Sequence, residues 1–516
     1  MTVKHQMFRS SVVVGIFSFL GSLTGILVET SIAAHLGLSK NSDTFYAAFT
    51  IPYIMTNLLR VTGQFSLVPF FSSLDAGHSE RELWGGFSYA TNVVFLGLAG
   101  ISALGALASP LLIRGIAPGF TPQETALAIQ LSRWLFLILA PAGIAEVIRS
   151  LLFSQRRFVI AASGNFLRNV TVIACVVFGF RRHGFYSIVL GYVAGHLIQL
   201  GIFAAYLFTT SPVRYSLTLE GSGEAFRNLH GAGTVQMATS LGRQGLVVVE
   251  RIIASYLPPG TLTALGYGVK IISTLSDLLA GSVGTASLPM LSRAFARNDR
   301  EQVWRGLRHA IEITLLLISP AVVFCLMLSP NIIRLIFERG SFTLDATVLM
   351  GQILFYYSLS LPFLAGLRIL NFYFFARNEV TAFLHLAMVQ AGLNLALDLI
   401  YVVVFHWTTA GIPLALLTSL MVPCAMAYAR NLGSVRESMD RSLAGYSLKV
   451  MAASVLAALP VWVLRVSLAV PKTGIGNFMF LCGACGSGVL AFFATLLVLR
   501  VVRLSQIGSL LKQAES

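Results

Sequence analysis

The chain has 516 residues, of which 56% are hydrophobic and only 11% charged, and its mean hydropathy is +0.79. Soluble globular domains carry about 25% charged residues, so this composition excludes a soluble fold, disorder, a collagen-like chain and a disulfide scaffold, and defines a polytopic membrane protein. The net charge of +15 is read as basic cytoplasmic loops rather than a nucleic-acid surface, because no Lys/Arg run with interleaved aromatics occurs.

A membrane helix needs about 20 mostly apolar residues. The short basic N-terminus (Lys4, Arg9) leads into an apolar stretch reaching Leu36, which is too long for a signal-peptide core and is expected to be a retained first span. In chain order about fourteen such runs follow one another: 10–36, 43–73, 84–113, 123–154, 158–180, 185–210, 228–257, 261–292, 303–328, 344–376, 380–405, 410–430, 444–469 and 475–501. With the N-terminus inside, the cytoplasmic loops hold nineteen Lys/Arg against seven outside, which predicts cytoplasmic placement of both termini.

A repeat of about 220 residues runs through the chain. Residues 109–116 (SPLLIRGI) answer 329–336 (SPNIIRLI), Pro69 and Trp84 answer Pro289 and Trp304, and Pro141 and Arg156 answer Pro362 and Arg377. The unit holds six spans, an even number, so the expected architecture is all-α. It has two six-helix lobes (1–215 and 222–436) related by a pseudo-two-fold along the membrane normal, a linker at 211–227, and two further helices with a cytoplasmic tail (444–516). Repeats of this kind build secondary transporters with the substrate held between lobes.

Ionisable residues inside spans cost at least about 2.5–3.5 kcal/mol on insertion scales and commonly face a cavity or a partner. Here they are Glu29, Arg60, Arg133, Glu146, Arg149, Arg168, Arg243, Glu250, Arg251, Lys270, Asp277, Arg368 and Asp398, eight cations against five anions. Glu146 and Arg149 stand i,i+3 and read as a pair; Glu250 and Arg251 read as snorkelling toward headgroups. For Arg149 and Arg368 structural and functional roles both stand. Arg60 and Lys270, on equivalent spans of the two lobes, are the cavity candidates, and with Arg243 they favour an anionic substrate that guanidinium groups grip bidentately. Asn394 and Asp398, i,i+4 on one span, with Thr418 on the next, form either a site for Na⁺ or a proton, or a helix–helix hydrogen bond. His196 and His385 read as hydrogen-bonded core residues. The five cysteines lie in apolar stretches, and no phosphate-cradling Walker sequence or hydrolytic constellation occurs, so the chain is not read as an enzyme or as ATP-driven.

The order Gly37-x5-Asp43-Thr44-Phe45-Tyr46-Ala47-Ala48-Phe49, Ile51-Pro52, Asn57-Leu58-Leu59-Arg60, Gly63-Gln64-Phe65-Ser66 and Val68-Pro69 resembles the start of MurJ/MviN proteins, the lipid II flippases of the multidrug/oligosaccharidyl-lipid/polysaccharide exporter superfamily. Ala117-Pro118-Gly119-Phe120, Leu288-Pro289 and Gly340-Ser341-Phe342-Thr343 extend the resemblance over most of the chain. It implies alternating access, a cationic cavity for a lipid-linked diphosphate, and a groove at the last two helices for the polyprenyl tail. It carries Arg60, Lys270, Arg243 and Asp43 into the substrate cavity, and Asn394, Asp398 and Thr418, with Gln236 as the nearest polar residue on span seven, into a Na⁺ site. It departs from the family in span one, where residues 18–29 contain no arginine, and in span eight, where Lys270 stands for an arginine.

The expected function is therefore a bacterial inner-membrane flippase moving a polyprenyl-diphosphate-linked saccharide, lipid II first, without cofactor other than Na⁺ coupling. Another undecaprenyl-linked glycan, or a cation-coupled multidrug or metabolite exporter of the same superfamily, is the alternative. The expected partners are the lipid-linked glycan and membrane lipids, with no nucleic acid, and the chain is read as a monomer.

Overall fold

A computed structural model describes residues 3–77, 79–219, 234–377, 379–431, 436–467 and 474–501, and they are helical almost throughout. By packing, the chain divides into two compact units, Met1–Thr263 with Arg339–Phe342, and Ala264–Glu338 with Thr343–Ser516.

The first unit contains α1 (Val3–Leu36), α2 (Lys40–Thr62), α3 (Val68–Gly77), α4 (Glu80–Ile116), α5 (Pro122–Leu135), α6 (Leu139–Ser154), α7 (Phe158–His183), α8 (Phe185–Thr210) and α9 (Thr234–Ala254). A π-turn, Gly63–Leu67, joins α2 to α3. Helix starts follow local chemistry. The Ser39 and Thr121 hydroxyls accept from the backbone N–H groups of Ser42 and Glu124, and Pro122 occupies the first turn of α5, where its missing N–H costs nothing. Two apolar clusters hold this unit, one around Phe45, Leu131, Phe136 and Val172, the other around Phe71, Trp84, Leu151 and Phe203. The irregular stretch after α8, residues 211–219, is pinned to α4. Asn92 Nδ2 donates to the Ser216 and Thr218 carbonyls at 3.0 and 2.9 Å, and Ser216 N donates to Ser88 Oγ. Helix α9, which the repeat places with the second lobe, packs on α2 and α4 of this unit.

The second unit begins within α10 (Thr261–Ser276), passes a π-turn at Asp277–Gly281, and continues through α11 (Ser282–Ala296), α12 (Arg300–Phe337), α13 (Leu344–Ser358), α14 (Leu361–Ala376), α15 (Val380–Leu399), α16 (Gly411–Asn431), α17 (Arg436–Ser467) and α18 (Gly474–Val498). Helix α18 is fastened to α12 by reciprocal amides. Asn331 Nδ2 donates to Asn477 Oδ1, and Asn477 Nδ2 to the Asn331 carbonyl, at 3.1 and 3.0 Å.

Among the described residues ten helices are long and apolar enough to cross a membrane, and α13 with α14, bent by 49°, makes an eleventh. The other three expected runs are also helical: α2 continuing into α3, α9, and α16. They fall short because α2 and α9 carry charges and the apolar part of α16 is brief. Large apolar side chains face outward, with Leu107 and Leu111 each 77% exposed. That face suits lipid tails, which are as apolar as leucine. The chain is an integral membrane protein.

Gly340 takes φ +59°, and a Cβ there would stand 2.2 Å from the Ala34 carbonyl oxygen, which accepts from Ser341 N at 2.7 Å. Gly340→Ala is therefore expected to destabilise the first unit by about 1–3 kcal/mol, read as a lower Tm in detergent.

Candidate functional site

In the first unit, α2, α6, α7 and α8 form a small open recess lined by Thr56, Leu59, Arg60, Ala142, Glu146, Arg149, Asn165, Arg168, His196 and Gln199. Three guanidinium groups and one carboxylate thus meet within apolar helices. Arg60, Arg149 and Arg168 are close enough to repel one another. Glu146 binds Arg149 through both oxygens, accepting from Nε at 2.8 Å and from Nη2 at 2.5 Å. Arg168 has one long contact, Nη2 to Asn169 Oδ1 at 3.4 Å.

Local packing explains how these groups arrive. Asn169 Nδ2 donates to the Gly21 carbonyl and to Thr24 Oγ1 at 3.0 and 3.2 Å, which fastens α7 to α1. Span one, lacking arginine, thus supplies small and polar residues against which α7 lies, and α7 delivers Arg168. Gly63 opens the π-turn of α2, and a Cβ there would stand 1.9 Å from Glu146 Oε1; only glycine lets the carboxylate lie against that backbone. His196, buried on α8, pairs its Nδ1 with the Tyr192 carbonyl at 2.8 Å. This i,i+4 bond places a proton on Nδ1, and in the neutral ring Nε2 is then an acceptor. Gln199 is 7% exposed, and its Oε1 has no hydrogen-bond partner. A buried acceptor without a donor costs about 1–3 kcal/mol, and in a recess it is suited to a ligand hydroxyl or amide.

Of the residues expected in the substrate cavity, Arg60 lies in this recess. Lys270 lies half-buried on α10 in the second unit. The side chains of Arg243 and Gln236 lie outside the described residues. Asp43 is buried at the start of α2, where its carboxylate caps the start of α10. Oδ2 accepts from Gly260 N at 2.6 Å, and Oδ1 accepts from Thr263 N at 2.8 Å and Thr263 Oγ1 at 2.7 Å. These bonds give Asp43 the geometry of a clamp. Asp43→Ala strands two backbone N–H groups and is expected to cost about 2–4 kcal/mol, measured as a fall in Tm.

In the second unit Asn394 and Asp398 are fully buried, with Asn394 Nδ2 donating to Asp398 Oδ2 at 2.7 Å. Ser419 Oγ, from α16, lies 2.9 Å from Asn394 Oδ1, and Gln390 Nε2 reaches Ser419 at 3.4 Å. Thr418 turns its hydroxyl back to the Leu414 carbonyl at 2.8 Å. Asn394 thus turns its amide nitrogen to the carboxylate and its oxygen to the Ser419 hydroxyl, a hydrogen-bonded chain between α15 and α16. Asp277 and Arg368 pair with each other across the π-turn region.

The sequence marks Arg168 only as an intramembrane charge and His196 as a hydrogen-bonded core residue, which its Tyr192 bond bears out; Gln199 and Ser419 carry no sequence signal. Nothing in the spacing of Arg168 ties it to Arg60, because the two meet through the tertiary packing of α7 on α8, α1 and α6.

An all-helical membrane protein with a cation-lined recess among its spans has the fold and chemistry of a membrane transporter. A sequence model of the family described as "Lipid II flippase MurJ" matches residues 32–481, and the chain belongs to that family. It is 27% identical over 394 residues to the "Probable lipid II flippase MurJ" of Rhizobium meliloti (strain 1021), covering 74% of this chain and 72% of the relative. It is 24% identical over 391 residues to the "Lipid II flippase MurJ" of Burkholderia cenocepacia, covering 73% and 74%. Among solved structures, "Lipid II flippase MurJ, inward closed conformation" superposes with a TM-score of 0.79 at 21% identity, over 95% of this chain and 98% of that one. An inward-facing multidrug resistance MATE transporter of the MOP superfamily gives 0.61 at 16%, over 81% and 96%. The fold is thus shared with both structures.

Proposed function

We propose that this chain moves lipid II, a polyprenyl-diphosphate-linked saccharide, from the inner to the outer leaflet of the bacterial inner membrane by alternating access, with both termini cytoplasmic. The observation that carries this reading is the recess where Arg60, Arg149 and Arg168 converge around a single carboxylate. Planar guanidiniums bind phosphoryl oxygens bidentately, and within a bilayer each contact is stronger than in water. Arg168 supplies from α7 the positive charge that span one lacks. His196 and Gln199 offer acceptors to hydroxyl or amide groups of the attached sugar. An organic-cation exporter would need an excess of acids where this recess has an excess of arginine.

Na⁺ coupling is proposed at Asn394 and Asp398, with Ser419 beside them and Thr418 one residue away. Lys270, Arg243 and Asp43 remain proposed contributors to the transport path, Asp43 through its clamp. A different undecaprenyl-linked glycan is the second reading, favoured by the arginine-free span one; the same diphosphate would occupy the recess. The test is replacement of a depleted lipid II flippase in cells, together with binding of lipid II by the purified chain. Growth without the resident flippase supports lipid II. Failure of both assays, with binding of another undecaprenyl-linked glycan, supports the second reading.

A further inference from the structure

The charge of the recess is set by its one carboxylate. Three guanidiniums against Glu146 leave a surplus of two positive charges, and His196 holds its Nδ1 proton on the Tyr192 carbonyl. Glu146 is held by Arg149 at both oxygens and seated on Gly63, where any larger residue would displace it. A carboxylate fixed this way is a permanent counter-anion within the site, since it cannot swing out to water without breaking a bidentate pair.

A diphosphate diester carries one ionised oxygen on each phosphorus, which matches that surplus. A terminal diphosphate carries one further ionisable oxygen, whose pKa is about 6. Resting on the lipid-diphosphate reading above, we infer that Glu146 sets the recess to prefer a polyprenyl diphosphate diester over a terminal polyprenyl diphosphate. The recess thereby distinguishes the saccharide-loaded lipid from the bare carrier. The extra negative charge of the bare carrier meets Glu146 in a low-dielectric site, where like charges are costly. A merely structural Glu146–Arg149 pair would weaken or strengthen both ligands alike when removed.

The experiment uses the full chain in nanodiscs and two probes of equal tail length, geranylgeranyl diphosphate and its diester with N-acetylglucosamine, with Kd measured by calorimetry at pH 8. The wild type is expected to bind the diester at least about tenfold more tightly, and Glu146→Gln to shift that ratio about tenfold toward the terminal diphosphate. Gly63→Ala, which unseats the carboxylate without removing it, is expected to shift the ratio in the same direction and carries the test if Glu146→Gln does not fold. At pH 5, where the terminal phosphate loses its second charge, the wild-type preference is expected to shrink. A ratio unmoved in both variants, with both probes still bound, would overturn the role of Glu146 and leave the diphosphate reading standing. Binding of neither probe by the wild type would overturn both.

Discussion

Transport by Arg60→Ala or Arg168→Ala protein is expected to fall about a hundredfold or more, with the folded yield unchanged. Truncating one partner of a desolvated charge pair costs about 2–5 kcal/mol, and each 1.4 kcal/mol is tenfold. Lysine at either position keeps the charge but loses the planar fork, so it should restore transport only in part. Stability gives an independent sign. Arg60 and Arg168 are repelled by each other and by Arg149, so removing either of the two should leave Tm unchanged or raise it. An arginine kept for structure would lower Tm on removal. Flipping assays on reconstituted protein, paired with thermal melts in detergent, separate these outcomes, and a lowered Tm with normal transport would remove that arginine from the site.

The second large effect is expected at Asp398. Asp398→Asn removes the charge and keeps a side chain able to bond Asn394, now 2.7 Å from the carboxylate, so the fold should persist. Sodium-dependent stabilisation should then vanish. Mass action gives about 2.7 kcal/mol at a hundredfold excess of ion over Kd, a Tm increment of a few degrees in the wild type that is absent in the variant. Ser419→Ala should weaken the response less, since a hydroxyl contributes less to a hard cation than a carboxylate. A full sodium response in Asp398→Asn would place the ion elsewhere.

Much of the fold was legible because the bilayer imposes a length and an apolarity on each span, and span periodicity survives in any sequence that obeys them. The expected repeat rests on matches such as Pro69–Trp84 against Pro289–Trp304, which recur at one offset along the chain. The site was less legible, because it depends on which helix faces which. Arg60 was readable as an intramembrane charge on a span equivalent in the two lobes, whereas Arg168 enters the recess through the packing of α7 on α8, α1 and α6, with Asn169 bonded to Gly21 and Thr24 of α1. Asp43, grouped by resemblance with the cavity residues, has both oxygens engaged by Gly260 and Thr263, a contact across more than 200 residues that no local pattern announces. The Asn394–Asp398 spacing was readable as a shared helix face; the arrival of Ser419 rather than Thr418 beside it follows from the rotation of α16, which an apolar helix does not encode in its composition.

The most direct test of the account is the movement of labelled lipid II across proteoliposomes containing the full chain in sodium, compared with the Arg60→Ala/Arg168→Ala double variant. Translocation is expected from the wild type, and none above protein-free vesicles from the double variant. Wild-type vesicles that do not move lipid II, or a double variant that moves it at the wild-type rate, would contradict it.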